Sequence, residues 1–263
     1  MKETMMRAPV LLLSLLLSAA AQAGTVLKVD AKDSAGKTVP HEVYYAQRGM
    51  MRIDQLDAQG SITRIDIVRD GVIWGVNPRE RTFTRLDQAS VKQFFGGQSS
   101  QLDAMLERLP PEQRAKMQAR MAQMKQSGGG GEFTFTDTGR SEHAGQYSCR
   151  VWSEQHAGQP YAEYCVVPPS SLPAGSDLEA SMKKAFATVD QVLSGVPVLA
   201  RQAERLTRME KMNGFPVRWH VVSAGGSERE NVLSSAEAQS IPEDKFAIPQ
   251  GFTEKPIGGR ESN

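Results

Sequence analysis

The chain has 263 residues, with 31 basic and 30 acidic side chains and a formal charge of +1. That length allows one large domain or two small ones with a real core. So even a charge balance gives no general argument for a nucleic acid or an anionic membrane surface as partner.

Residues 1–23 read as a bacterial secretory leader. Lys2 and Arg7 make a positive start, and Val10 to Leu17 form an apolar run broken only by Ser14. Ala21-Gln22-Ala23 has the small-x-small pattern of a cleavage site. The run is short for a bilayer span, and no Cys follows to take a lipid anchor. The expectation is cleavage before Gly24 and release into the periplasm with no transmembrane anchor. Residues 24–263 are then expected to form a single domain.

From Thr25 to Asp87 the pattern has a period of two. Leu27, Val29 and Ala31 alternate with Lys28, Asp30 and Lys32, and similar alternation recurs around Val43, Met51 and Ile65. Turn signals at Ser34-Ala35-Gly36, Arg48-Gly49, Gln59-Gly60, Asp70-Gly71 and Asn77-Pro78 divide six strands. Six strands in about 60 residues predict a curved antiparallel sheet rather than α/β alternation. Asp54 and Asp66 fall on polar strand faces and read as solvated charge.

A helical stretch follows from Leu86 to Gln126, divided by Pro110-Pro111. Leu102, Met105, Leu106 and Leu109 lie at helical spacing before the break, and Met117, Met121 and Met124 after it. Gly128 to Gly131 form a connector. Strands resume at Glu132–Asp137, Tyr147–Glu154 and Tyr161–Val167. A three-residue loop, His156-Ala157-Gly158, would set Cys149 opposite Cys165, so a cross-strand disulfide is expected. Ser176-Asp177-Leu178-Glu179 reads as a capping box. Leu178, Met182, Phe186 and Val189 then share one helix face. A second helix is expected over Val198–Met212. A final hairpin crosses Ala224–Ser227, and an extended end spans Phe246–Phe252.

This order of elements resembles the superfamily of the periplasmic lipoprotein carrier LolA and the mycobacterial lipid-binding LppX, above all its uncharacterised periplasmic members. The motifs that carry the resemblance are Tyr44, Tyr45, Gly49 and Arg52 near the start and Phe246, Pro249, Gly251 and Phe252 near the end. It implies an α+β fold: a bent antiparallel sheet, an incomplete β-barrel, covered by helices with an apolar cavity between. The Met-rich insert 87–131 matches no part of that pattern.

No enzyme signature is present. There is no Gly-x-Ser-x-Gly elbow and no phosphate-binding glycine loop, and Tyr45 stands where His41-Glu42 would need a second His to hold zinc. His41, His143, His156 and His220 are scattered singly. No catalytic residue, metal site or cofactor is expected. The methionine stripe has three readings: packing on an amphipathic helix, a cover for flexible acyl chains, or thioether ligands for Cu(I). The residues expected to line a cavity are Tyr45, Trp74, Phe83, Leu102, Met105, Leu106, Met117, Met121 and Met124. The expected role is non-enzymatic binding of a hydrophobic ligand or a lipidated envelope protein. The alternatives are an envelope protein–protein interaction module without a cavity ligand and a periplasmic copper-binding protein.

Overall fold

A computed structural model describes residues 23–32, 36–127, 132–193, 205, 209–222 and 228–258, with backbone only at 98–104 and 121–127. The leader up to Gln22, the tetraglycine, the loop Ala224–Ser227 and most of the expected helix Val198–Met212 lie outside the described residues. Arg205, Met209 and Glu210 of that stretch are helical.

Twelve strands form one sheet. They are β1 (Gly24–Lys32), β2 (Thr38–Gln47), β3 (Met50–Leu56), β4 (Ile62–Arg69), β5 (Val72–Asn77), β6 (Thr82–Leu86), β7 (Phe133–Ala144), β8 (Tyr147–His156), β9 (Gln159–Val167), β10 (Phe215–Val222), β11 (Glu228–Gln239) and β12 (Thr253–Glu254). Their order is β12-β6-β5-β4-β3-β2-β1-β11-β10-β9-β8-β7. The sheet is not closed: β12 and β7 are its two ends. Every pairing is antiparallel except β12 with β6, which makes the sheet mixed rather than purely antiparallel as expected. Register shifts interrupt the ladders in β1, β3, β7, β8 and β10. Such bulges bend strands and tighten their twist, which curves so long a sheet.

The tight turns follow their sequences. Arg48-Gly49, Asp70-Gly71 and Ala157-Gly158 all have positive φ at both residues. That is the turn whose twist matches two antiparallel strands. The last of these corrects the expected hairpin. The loop has two residues, not three, so His156 faces Gln159, and a shift beyond Glu154 puts Val151, not Cys149, opposite Cys165. Cys149 is two residues along on the same face. Its Cα lies 5.3 Å from that of Cys165, and the disulfide forms diagonally.

Three α-helices are complete among the described residues: α1 (Gln88–Glu107), α2 (Pro111–Ser127) and α3 (Gly175–Leu193). α1 is capped by Asp87, whose carboxylate accepts from Ser90 N (2.7 Å), while Ser90 Oγ accepts from Asp87 N (3.0 Å). The expected box at Ser176 does not cap α3, because Ser176 lies inside the helix. α3 starts one residue earlier, where Gly175 lets its backbone meet the carbonyl of Pro169. Alternation gives the sheet two apolar faces. On one, Leu27, Val29, Ala46, Cys149, Cys165 and Val217 pack with Leu178 of α3. α3 lies across β1 to β5, with Met51, Val68 and Ala185 in contact farther along. Thr25, fully buried, donates to the carbonyls of Pro173 and Ala174 (both 2.9 Å), pinning the entry of α3 to β1.

Candidate functional site

Tyr45, Trp74 and Phe83 come together. The registers Tyr45↔Arg52↔Ile67↔Trp74 put these side chains on the face opposite α3. All three aromatics pack, half-buried, against Val26, Ile65, Ile67, Val76, Ile241 and Phe246. The cover here is the chain that follows β11, not a helix. Gln47 fastens it first: its Nε2 donates to Ile241 O (3.1 Å) and its Oε1 accepts from Ile241 N (2.9 Å). Arg52 Nη1 donates to Lys245 O (2.9 Å) and Arg69 Nη1 to Phe246 O (3.2 Å). Lys245 lies over the Tyr45 ring and Arg69 over the Trp74 ring, at 4.3 and 5.6 Å.

These contacts correct the reading of Asp54. It is 1% exposed, not solvated. Arg52 Nε donates to its Oδ1 (2.5 Å), and Lys245 Nζ is 3.6 Å from its Oδ2. A buried carboxylate persists only when paired. The C-terminal segment that dries this face also supplies one of the two cations. Four motif residues that stand apart in sequence, Tyr45, Arg52, Phe246 and Phe252, are thus drawn together, whereas Tyr44 packs on the opposite face and Gly49 lies against Lys184 of α3. Arg52 and Tyr45 receive Lys245 and Phe246, while Gly251 makes its turn at φ +75 against Arg81, which lies over Phe252.

Of the helical members of the expected cavity, Met105, Leu106 and Met117 are described, and these do not join this cluster. Leu106 is buried, Met117 is half-buried and Met105 is 53% exposed. The side chains of Leu102, Met121 and Met124 lie outside the described residues.

A cleft of ≈ 360 Å³ runs round the edge of β6. Phe83, Thr84 and Leu86 line it from β6, Arg64 and Gly75 from the neighbouring strands, and Lys255, Pro256 and Gly258 form its outer wall. β12 covers only Thr82 and Phe83 of β6. The wall is held by Thr253 N donating to Arg81 O (3.0 Å), Lys255 N donating to Phe83 O (2.8 Å), and Lys255 Nζ at 2.5 Å from Glu80. The Lys255 hydrogen bond holds the Glu80 carboxyl below its ordinary range. On the inner side, Ile257 packs with Leu86, Val91 and Val192. The cleft itself is mixed: Val76, Phe83, Leu86 and Pro256 line it together with Arg64, Asn77, Glu80 and Lys255.

A second buried polar group lies at the other end of the sheet, and the sequence did not reveal it. Glu154, 1% exposed, accepts from Tyr164 OH (2.6 Å), from Arg205 Nε (2.5 Å) and from Arg205 Nη2 (2.9 Å). The Arg205 guanidinium also lies 5.2 and 5.3 Å from the ring centres of Phe133 and Tyr161. Burial, with Glu154 beside it, pushes the Tyr164 phenol well above its ordinary value. A phenol held that firmly protonated is a donor, not a base, so the group braces the helix bearing Arg205 against β8 and β9. Glu154 and Arg205 are 51 residues apart, and no local pattern links them. Among the described residues no three His, Cys, Asp or Glu side chains gather to hold a metal ion.

No protein-family model matches the chain, and no curated protein matches it. Among solved structures it is similar to an uncharacterised conserved protein from Thermus thermophilus, at 7% identity over 89% of this chain and 90% of that one, with a TM-score of 0.44. It is also similar to a LolA superfamily protein from Nitrosomonas europaea, at 9% identity over 87% of this chain and 91% of that one, with a TM-score of 0.28. Nothing about activity or ligand follows from likenesses at this level.

Proposed function

We propose that this protein is a non-enzymatic component of the bacterial cell envelope that holds a lipid-like ligand or the acyl chain of a lipidated protein. The observation that carries the reading is the open end of the sheet. The cleft at β6 is lined by Phe83, which packs in one cluster with the half-buried Trp74 and Tyr45, beside a segment fastened mainly by hydrogen bonds and ion pairs. An acyl chain entering there leaves water at a gain of roughly 25 cal/mol per Å² of apolar surface removed. The hairpin of α1 and α2, with Leu102, Met105, Leu106, Met117, Met121 and Met124, serves as the movable cover. Periplasmic placement is supported by the leader pattern of residues 1–23 and by the Cys149–Cys165 bridge, since disulfides persist in oxidising compartments. Among the described residues no helix is long and apolar enough to cross a membrane.

The interaction-module reading has one observation in its favour. β7, 12 residues long, ends the sheet with no strand beyond it among the described residues. Such an edge is a template for pairing with another chain.

A fluorescent fatty-acid probe decides between them. The parent protein should bind it, lipids should displace it, and Phe83→Ser should weaken binding about tenfold, the loss of roughly 1.4 kcal/mol. A parent protein that binds no probe sinks the carrier reading. Stoichiometric Cu(I) binding abolished by Met→Leu changes in α2 would instead favour copper handling.

A further inference from the structure

We infer that the α1–α2 hairpin is a docking surface for an anionic lipid bilayer. The inference is independent of what the cleft at β6 holds. It starts from a segregation of charge. Residues 105–127 carry five cations (Arg108, Arg114, Lys116, Arg120 and Lys125) against two acids (Glu107 and Glu112), whereas the whole chain is only +1. The rest of the protein is therefore net acidic. A charge excess confined to one element gives an orientation as well as an attraction: the hairpin faces an anionic surface and the body is turned away from it.

The hairpin is built to present that charge. α2 packs chiefly on α1, and α1 reaches the body through α3 and β6. The angle between the two helices is set by Arg114. Its guanidinium donates to the carbonyls of Leu106 (3.0 Å), Glu107 (2.7 Å) and Leu109 (3.3 Å), closing the C-terminal end of α1. Arg108, Lys116 and Arg120 are left exposed on this bracket. Met105, one turn before Arg108 on α1, is 53% exposed, the most exposed large apolar side chain among the described residues. An exposed, flexible apolar side chain bordered by cations is the arrangement that enters the boundary between headgroups and acyl chains, with the charges at headgroup level. A protein partner would call for a flat or grooved apolar patch, and among the described residues the one other exposed large apolar side chain is Ile62, at the start of β4.

Vesicle sedimentation of the chain from Gly24 to Asn263 tests this. It should pellet with vesicles of equal phosphatidylglycerol and phosphatidylcholine at low salt, and not with phosphatidylcholine alone. About 0.5 M salt should release it, because surface attraction is screened over a few ångströms there. Lys116→Glu with Arg120→Glu should lower partitioning roughly twenty-fold or more. Lys28→Glu with Arg229→Glu makes the same change in net charge at exposed sites on β1 and β11 and should lower it by less than about threefold. Both double variants are checked for the parent's urea midpoint. In Met105→Trp the indole emission should shift to the blue on anionic vesicles. Equal pelleting with both vesicle types, pelleting with neither, equal loss in the two double variants, or an unmoved emission would each overturn the inference.

Discussion

Glu154 shows how one side chain can carry more than its position suggests. It sits at a strand position that alternation leaves ambiguous, and the structure closes it off from water entirely. All its acceptor capacity then depends on Arg205 and Tyr164. Removing the carboxylate by Glu154→Ala leaves the guanidinium mostly buried without its counter-charge. The expected loss is about 3 kcal/mol, as for other buried pairs broken from one side. Urea unfolding measures it. A loss under about 1 kcal/mol would mean that water reaches the site and that the group braces nothing. Asp54 is the parallel case at the other end of the sheet, held by Arg52 and approached by Lys245.

Among the elements, α1 has the clearest local logic. Asp87 accepts from the Ser90 amide, and that hydrogen bond holds its carboxyl below the ordinary range. The sign follows directly. A depressed folded-state pKa contributes stability that is present above the unfolded value of 3.8 and is lost as pH falls through the folded value. Asp87→Ala should therefore cost about 1 kcal/mol at pH 7 and progressively less below pH 3.8. Urea midpoints of parent and variant across that range check it; a difference independent of pH would show that the cap acts through shape rather than charge. The β8–β9 hairpin is the contrasting element. Its two-residue turn and the shift beyond Glu154 are both local, yet together they moved Cys149 off the position opposite Cys165 without moving it off the face. The disulfide survived the change because side chains alternate, so a two-residue slip restores the same side.

Across the molecule, the two faces of the sheet are closed by different means. α3 closes one with a buried stripe of Leu178, Ser181, Ala185, Thr188 and Val192, while Met182, Phe186 and Val189 of the expected face are only half-buried. The chain from Ile241 to Gly258 closes much of the other with little regular structure, relying on Gln47, Arg52, Arg69 and the ring of Phe246, which is 1% exposed. Phe246→Ala should cost about 4 kcal/mol, the usual loss when a large core ring is removed and its cavity stays. It should also raise hydrogen exchange in β3 and β4, against which the neighbouring 3-10 turn Glu243–Phe246 packs. Thermal and urea unfolding give the first, exchange mass spectrometry the second. A loss below about 1.5 kcal/mol, with exchange unchanged in these strands, would show that the segment is an ornament rather than the second lid of the core.

Local spacing was enough to establish the six-strand meander, the position of most turns, the break between α1 and α2, and the face shared by the two cysteines. Each of these depends on a relation within a few residues: a period of two, a glycine at positive φ, two prolines in succession. Which strands are neighbours beyond the meander and the hairpins came from the fold, as did the place of β1 between β2 and β11 rather than at an edge. So did the dryness of Asp54, the meeting of Arg205 with Glu154 and the cover that the C-terminal segment lays over Tyr45 and Trp74. Those facts join residues far apart in the chain, and a buried charge looks like a solvated one until its cover is known. The aromatics of the candidate site were legible as strand residues with one apolar face. What covers that face emerged only in three dimensions, because burial is a property of the partner as much as of the residue.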